Sequence, residues 1–257
     1  MTLPSLFISH GAPDVVLQDL PATRAWADLG QRLPRPRAIV VVSAHWTTRE
    51  AAVEIGDQPV TVHDFAGFAP ELFQIRYPAP GDPVLAQRMV GMLEGAGLVA
   101  GGADHGFDHG VWVPLTLMYP EADIPVVVVS VQPRQDGLHH VRVGQALAPL
   151  RQEDVLIIGS GAMTHNLGAL RPGSTEPPAW VTAFDDWVMA AAEAGDLPSL
   201  ADWQRLGPSA RLNHPSPEHF LPLLVAAGAG GGPGRLLHRS TTWGVLQMTM
   251  LSFGDEA

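Results

Sequence analysis

The chain contains no cysteine among its 257 residues. Disulfides, thiolate nucleophiles and cysteine-ligated zinc or iron–sulfur sites are therefore excluded. Charged residues are also scarce, at 16%, whereas hydrophobic residues make up 46% of the chain. This composition excludes disorder as the general state, and the length is sufficient for an α/β domain with a substantial buried core.

Basic residues are few, 15 against 26 acidic ones, which gives a formal net charge of −11. Because a nucleic-acid partner requires a basic face, we expect none. The sequence has no apolar run of about 18 residues that would cross a membrane. Its N-terminus also lacks the basic and apolar regions of a signal peptide. These absences predict a cytoplasmic protein that acts without a membrane.

Several common catalytic and nucleotide-binding motifs are missing. No Gly-x-Gly-x-x-Gly follows a strand, and neither a Walker A sequence nor a Gly-x-Ser-x-Gly elbow is present. The sequence therefore does not indicate a dinucleotide-binding domain, a P-loop NTPase or a serine hydrolase of the α/β-hydrolase type.

Apolar, β-branched runs alternate with helix-like stretches along the chain. Strands are predicted at residues 3–8, 38–44, 51–55, 124–131 and 155–159, with a last one near 241–252. Helices are predicted at residues 22–32, 82–97, 112–119, 138–150, 178–194 and 217–228. The Gly-rich stretches 167–178 and 228–234 are predicted as loops. The alternation predicts an α/β fold in a single domain over residues 1–257, with a central, mostly parallel sheet flanked by helices on both faces.

Two histidines stand at the ends of strand-like runs, where a core strand would carry apolar residues. His10 follows the run at residues 3–9, and His45 ends the run at residues 38–45. The carboxyl ends of parallel strands share one edge of a sheet, where ligands of open α/β folds bind. Each histidine alone is equally well explained as a hydrogen-bonded core residue. As a pair, they predict a mononuclear metal site.

A third ligand is predicted near residue 219. Ser216 can cap a helix and Pro217 suits its first turn, so Glu218 and His219 fall at the helix start. Two histidines with a carboxylate are the ligand set of iron(II) oxygenases, whereas three histidines are typical of catalytic zinc. The residue pattern leaves Glu218 and His219 as alternatives.

Three more histidines are candidates for the same pocket. His165 follows a Gly-rich segment, where glycine lets the backbone approach a ligand, and it can act as a fourth ligand or a general acid/base. His109 is bracketed by glycine and aromatic residues just before a helix, and His63 has similar neighbours. For His63 an ordinary turn histidine is an equal alternative. Surface or structural roles are predicted for the others: His105, His139, His140, His214 and His238.

Six short segments occur in an order that is typical of one enzyme family. They read SHGAP at 9–13, VSAHW at 42–46, HDF at 63–65, GFDHG at 106–110, GAMTHN at 161–166 and PEHFLP at 217–222. YPAPG at 77–81 adds a seventh. With these segments the chain resembles the LigB-like class III extradiol ring-cleavage dioxygenases, most closely the 4,5-DOPA dioxygenase branch, from residue 3 to about residue 251.

The resemblance implies an α/β fold with one non-haem metal at the mouth of the sheet. It implies that His10, His45 and His219 are metal ligands, and that His165 is the catalytic acid/base or an additional ligand. It further implies that His109 lies beside the ligands or faces the substrate. Fe(II) is the metal expected for activity, and Zn(II) is possible as the bound metal.

The implied reaction is extradiol cleavage of a DOPA-like catechol with O2 to a muconic semialdehyde-type product. The implied partners are therefore a small catecholic substrate and O2. Two alternatives remain: a zinc-dependent hydrolase on the same scaffold, and a non-catalytic protein that binds a metal and a phenol. Arg76, Arg134 and Arg171 are candidates for pairing a substrate carboxylate, although each is better explained as a surface residue.

Overall fold

The apolar, β-branched runs form the centre of one eight-stranded sheet in the computed structural model, which describes residues 2–254. Its strands are β1 (Ser5–Ser9), β2 (Ala38–Thr47), β3 (Ala51–Glu54), β4 (Ala100–Ala103), β5 (Val126–Val131), β6 (Val155–Gly161), β7 (Gly234–His238) and, after two strands outside this sheet, β10 (Met250–Phe253). Those two, β8 (Thr241–Thr242) and β9 (Leu246–Gln247), form a separate two-stranded sheet.

Helices cover both faces of the sheet. They are α1 (Pro21–Arg32), α2 (Pro83–Gly95), α3 (His109–Met118), α4 (Gly137–Leu147), α5 (Ala179–Glu193), α6 (Leu197–Ala201), α7 (Trp203–Leu206), α8 (Ala210–Asn213) and α9 (Leu221–Gly230). One face buries Trp26 and Trp112 beneath α1 and α3, and the other buries Val188 and Leu224 beneath α5 and α9. The predicted α/β class, with a mostly parallel sheet between two helical layers, is confirmed.

The strand order places three carboxyl ends side by side. The sheet runs β4-β3-β5-β2-β6-β1-β10-β7, and β5, β2, β6 and β1 are mutually parallel. Ser9 at the end of β1 pairs with Gly161 at the end of β6, and Ser43 of β2 pairs with Ser160. The segments that follow these strands therefore meet at one edge, as the sequence predicts.

The start of α9 differs from the prediction. The helix begins at Leu221 rather than at residue 217, and residues 218–220 form a turn before it. Pro222 explains the difference, because proline has no N–H to donate and is tolerated only in the first turn of a helix. His219 therefore lies in the turn and not in the helix.

The Gly-rich stretch 228–234, predicted as a flexible surface loop, is partly a buried helix. α9 continues to Gly230, and Gly228 faces α4, where an added Cβ would lie 2.2 Å from the Val141 carbonyl oxygen. Glycine here permits close helix packing, so the prediction of a loop was wrong for residues 228–230. Gly231 caps the end of the helix, and its φ of 69° favours glycine.

Two further strand predictions need correction. β4 and β7 were not predicted, since β4 contains two glycines and β7 follows the Gly-rich stretch directly. The single strand expected near 241–252 is three short strands, because the chain reverses at Trp243 and Gly244. Among residues 2–254, no helix is both long and apolar enough to span a membrane.

Candidate metal centre

Three histidines direct their Nε2 atoms into one small space at the carboxyl edge of the sheet. The Nε2 atoms of His10 and His45 are 3.0 Å apart, and those of His45 and His219 are 3.3 Å apart. His10 and His219 are buried, whereas His45 is partly exposed. The fold thus brings together three residues that are far apart in the sequence.

The sheet positions His10 and His45 directly. His10 is the first residue after β1, and its N–H donates to the Gly161 carbonyl at 2.9 Å. His45 lies near the end of β2, where the pairing with β5 shifts register between Val42 and Thr47. Such irregularities change the direction of side chains next to binding sites. Here the shift includes His45, whose side chain reaches His10.

The turn that carries His219 rests on the end of β6. The N–H of Ala162 donates to the His219 carbonyl at 2.9 Å. Gly161 permits this approach, since a Cβ added there would lie 2.2 Å from the same oxygen. Gly159 similarly faces the Pro222 carbonyl, 2.1 Å from an added Cβ. These glycines were predicted to admit a ligand, but they admit the backbone of the His219 turn and of α9 instead.

A hydroxyl fixes the tautomer of His10. Ser160 Oγ donates its hydrogen to the Gly110 carbonyl and lies 3.0 Å from His10 Nδ1. Because this hydroxyl has no second hydrogen, it accepts from Nδ1–H of His10. Nε2 of the neutral ring then carries the free lone pair, which is the form that binds a metal.

Carboxylates hold the outer nitrogens of the neighbouring rings. Asp64 Oδ2 lies 3.2 Å from His45 Nδ1 and 2.9 Å from His109 Nδ1. Glu218 Oε1 lies 3.1 Å from His219 Nδ1. An ionised carboxylate only accepts hydrogen bonds, so each Nδ1 carries the hydrogen and each Nε2 is left unprotonated in the neutral ring.

The ionisation states suit a cation. Burial lowers the pKa of His10 and of His219 well below its ordinary value, and nearby histidines lower both further. Burial alone would raise the pKa of Asp64, but the hydrogen bonds from His109 and His45 outweigh burial and hold that pKa well below its usual range. His10 and His219 are therefore neutral, and Asp64 is ionised, at neutral pH.

The residues present fit a bound metal. Nitrogens that share one divalent ion at about 2.1 Å lie about 3.0–3.4 Å apart, which matches the Nε2 separations described above. Without an ion, the unprotonated Nε2 atoms would face one another with no hydrogen between them. Imidazole nitrogens are suitable ligands for both zinc and iron, so the ligand types alone do not distinguish the two metals.

His109 lies beside this cluster and is the first residue of α3, not a residue before it as predicted. Its ring centroid is 3.8 Å from that of His45, and its N–H donates to Asp64 at 2.9 Å. The ligand atoms of His10, His45 and His109 lie within 4.8 Å of one another, so His109 is a further candidate metal ligand. Burial lowers its pKa, although Asp64 opposes this.

His165 stacks on the ring of His219. The ring centroids are 3.5 Å apart and the planes are inclined by 9°. The ligand atoms of His165, Glu218 and His219 lie within 4.8 Å of one another. Burial lowers the pKa of His165 to about 4, so the ring is neutral at neutral pH. The backbone N–H of His165 donates to the Asn213 carbonyl, and His165 lines the cavity.

His63 is not brought to the site. Its Nε2 lies 3.1 Å from the Ile75 carbonyl, and its ring packs against Phe65, Phe73 and Trp112. It does not line the cavity beside the three histidines, so we do not retain it as a substrate residue. The structural roles predicted for the remaining histidines agree with the buried, hydrogen-bonded positions of two of them, His140 and His214.

The pattern of histidines at strand ends did not identify Asp64 and Ser160. Asp64 lies in the irregular segment after β3, and only the HDF segment at 63–65 drew attention to that region. Ser160 lies inside a buried strand. Its hydroxyl among apolar residues is the one sequence feature that could have indicated a supporting role. Both residues act through contacts with segments that are distant in the sequence.

A cavity of about 340 Å³ opens in front of the histidines. One wall is formed by Phe65 and Phe68. Other apolar lining comes from Leu167 and Leu170, in the predicted loop at 167–178, and from Trp243. A cavity of this size accommodates a small aromatic ring. The structure therefore places a mainly apolar binding space next to a candidate metal site.

Comparison with known proteins adds family membership to this geometry. Residues 6–249 match the family described as "Catalytic LigB subunit of aromatic ring-opening dioxygenase". A Beta vulgaris protein named 4,5-DOPA dioxygenase extradiol is 42% identical over 256 residues, which cover 97% of this chain and 96% of that protein. An Escherichia coli K12 protein of the same name is 42% identical over 237 residues, 90% of this chain and 86% of that protein.

A solved structure is similar over the same length. The crystal structure of an uncharacterized protein from Escherichia coli K12 superposes with a TM-score of 0.82 at 38% sequence identity. The match covers 98% of this chain and 100% of that one. The similarity therefore includes the whole sheet and the edge at which the histidines meet.

Proposed function

The chain belongs to the family of the catalytic LigB subunit of aromatic ring-opening dioxygenases, and on this premise we propose that it is an iron(II)-dependent extradiol dioxygenase. Its substrate is a catechol, which is opened beside the diol with O2 to a muconic semialdehyde-type product. The observation that carries this proposal is the convergence of the Nε2 atoms of His10, His45 and His219, at separations of 3.0 Å and 3.3 Å. The names of the relatives make DOPA the first catechol to assay.

We assign the metal to His10, His45 and His219. Iron(II) supplies the redox chemistry by which catechol and O2 react, whereas zinc has no accessible second oxidation state. Ser160, Asp64 and Glu218 keep the three rings in the required tautomer and orientation. In this assignment Glu218 acts through His219 and is not itself a ligand.

His165 is assigned the proton transfers. Its ring is neutral, lines the cavity and lies against the ring of His219, so it can accept a proton from a catechol hydroxyl and return it later. His109 also lines the cavity, and Asp64 holds its Nδ1. This leaves Nε2 of His109 as a group that can contact the substrate. The whole chain, residues 1–257, is proposed to act as one catalytic domain.

The test is reconstitution under controlled metal and oxygen. Metal-free protein is loaded with iron(II) under anaerobic conditions, DOPA or another catechol is added, and air is admitted. The proposal predicts O2 consumption and a yellow ring-cleaved product, and it predicts that protein loaded with zinc gives neither. Inactivity of the iron-loaded protein on every catechol tried would contradict it.

Two other functions would be recognised by repeating the reconstitution with zinc and with other substrates. A zinc-dependent hydrolase is compatible with three histidines as ligands, and it would cleave an ester or amide when loaded with zinc. A non-catalytic binding protein would bind the catechol with either metal and return it unchanged. Family membership favours the dioxygenase over both.

A further inference from the structure

Asp108 is fully buried, and its carboxylate does not cap the helix that it precedes. It lies directly before His109, the first residue of α3, where an aspartate side chain usually accepts a backbone N–H from the first helical turn. Among residues 2–254, the Asp108 side chain receives no such bond. Its backbone carbonyl supports the helix instead, accepting from Val111 at 2.9 Å and from Trp112 at 3.0 Å. The carboxylate is therefore free to bond elsewhere.

One carboxylate oxygen of Asp108 contacts the strand that carries a proposed metal ligand. Ser43 of β2 donates its hydroxyl hydrogen to Asp108 Oδ1 at 2.7 Å, and the same Ser43 oxygen accepts from the backbone N–H of His45 at 3.2 Å. Because a serine hydroxyl has a single hydrogen, its donation to Asp108 leaves the lone pairs of Ser43 for His45. Asp108 therefore orients the hydroxyl that holds the His45 backbone.

The other carboxylate oxygen contacts a ring beside the same strand. His105 Nε2 lies 2.9 Å from Asp108 Oδ2, and the His105 ring stacks on Trp46 with centroids 4.5 Å apart and planes inclined by 3°. The backbone N–H groups of His105 and Gly106 both donate to the buried Glu54. His105 is therefore held by its ring and by its backbone, and it gives Asp108 a well-fixed second partner.

The first turn of α3 packs closely against these groups. A Cβ added at Gly110 would lie 3.0 Å from Asp108 Oδ1 and 3.2 Å from His45 Cδ2. The Gly110 carbonyl also accepts from Ser160, the hydroxyl that fixes the tautomer of His10. The start of α3 therefore contacts the supports of two proposed metal ligands, and a displacement of this turn would affect both.

We propose that Asp108 is a positioning residue, which joins His45 to the start of α3 and so fixes His45 and His109 relative to each other. The proposal rests on the proposed function, because it takes His45 as a metal ligand and His109 as a group that contacts the substrate. Asp108 itself does not line the cavity. It acts through Ser43 on the His45 backbone, and through the first turn of α3 on His109.

Zinc affinity tests the link to His45 without turnover. Asp108→Ala removes both hydrogen bonds, so zinc affinity in competition with a chromophoric chelator should fall about 10- to 100-fold, the range for residues that support a ligand. Asp108→Asn keeps the shape and an acceptor for the neutral Ser43 hydroxyl, so its affinity should stay within about threefold of the wild type. The visible absorption of the cobalt(II)-loaded protein, which reports ligand geometry, should change in Asp108→Ala alone.

Asp185→Ala is the matched control. Asp185 is another fully buried aspartate that accepts from a hydroxyl, Thr249 Oγ1 at 3.1 Å, but it lies on α5 and does not line the cavity. Its substitution should lower the free energy of unfolding and leave zinc affinity and the cobalt spectrum unchanged. An equal loss of zinc affinity in Asp185→Ala and Asp108→Ala would reflect general destabilisation and overturn the proposal.

A double-mutant cycle tests whether Asp108 acts through Ser43. Ser43→Ala removes the hydroxyl between Asp108 and His45 and should lower zinc affinity about tenfold. The double variant should lose little more than Asp108→Ala alone, whereas independent effects would add. Additive losses, or wild-type zinc affinity in Ser43→Ala, would overturn the proposal. If Asp108→Ala does not fold, Ser43→Ala and Asp108→Asn decide the question by the same criteria.

Turnover tests the link to His109. With saturating iron(II), kcat of Asp108→Ala on DOPA should be at least about tenfold below that of the wild type, since small misplacements of catalytic groups are costly. Asp108→Asn should restore most of it. Wild-type kcat in metal-saturated Asp108→Ala would overturn the role at His109. Failure of the wild type to bind zinc would instead overturn the metal centre of the proposed function, and the positioning role with it.

Discussion

Substitution of Gly161 by alanine should weaken metal binding by moving His219. The new Cβ would lie 2.2 Å from the His219 carbonyl oxygen, whereas real Cβ contacts essentially never fall below 3.0 Å. The turn must therefore retreat by at least about 0.8 Å, several times the roughly 0.2 Å within which ligand distances are held in metal sites. The bond from Ala162 N–H to the same carbonyl, now 2.9 Å, would be lost or weakened as well.

The expected effect is a zinc affinity about 10- to 100-fold lower, the range found when supporting residues around a metal are changed. Competition with a chromophoric chelator measures it, and circular dichroism of the metal-free protein reports whether the fold is retained. Gly91→Ala is the matched control. Gly91 lies exposed in α2 with nothing within 4 Å of an added Cβ, so this change should stabilise the helix by about 0.5–1 kcal/mol and leave zinc affinity unchanged. A folded Gly161→Ala protein with wild-type zinc affinity would refute the reasoning.

Three other predictions concern Asp64, His165 and His140. Asp64→Asn presents the Nδ1–H of His45 and of His109 with a weaker, neutral acceptor, so zinc affinity should fall about 10- to 100-fold in the chelator competition; an unchanged affinity would show that Asp64 does not support the ligand. His165→Ala should keep the zinc affinity and lose catechol turnover, and loss of the metal as well would make His165 a ligand rather than an acid/base. His140 donates its Nδ1–H to the Asp136 backbone carbonyl and accepts from the Gln132 backbone N–H at Nε2, and burial lowers its pKa to about 4. Since the unfolded chain takes up this proton first, the free energy of unfolding should fall by up to about 3 kcal/mol as the pH drops from about 6.5 to about 4. His140→Gln should remove that part of the pH dependence in urea titrations, and an unaltered slope would contradict the assignment.

The strand pattern was sufficient to predict where His10 and His45 meet. Both follow runs of apolar, β-branched residues, and such runs form parallel strands whose carboxyl ends share an edge. The position of His219 at the same edge was predicted by resemblance, whereas its local structure was not. Pro222 moves the helix start, and Gly161 and Gly159 provide room for the turn. That outcome depends on which backbone packs against β6, and no local pattern contains this information.

The supporting and wall residues were harder to predict. Asp64 lies in a segment without regular structure and contacts two histidines. His45 precedes it by 19 positions, and His109 follows it by 45. Trp243 sits at a tight reversal in a conformation that bulky residues rarely adopt, so its position follows from the loop it contacts. Contacts of this kind come from tertiary packing, which overrides local preference.

Oxygen-isotope labelling tests the central claim most directly. The iron-loaded protein is given a catechol under oxygen-18 gas, and the ring-cleaved product is analysed by mass spectrometry. Extradiol cleavage at this site predicts that both atoms of one O2 molecule enter the product, subject only to exchange of the aldehyde oxygen with water, which a parallel run in labelled water corrects. A product whose new oxygen comes only from water, or an intact catechol ring, would contradict the account.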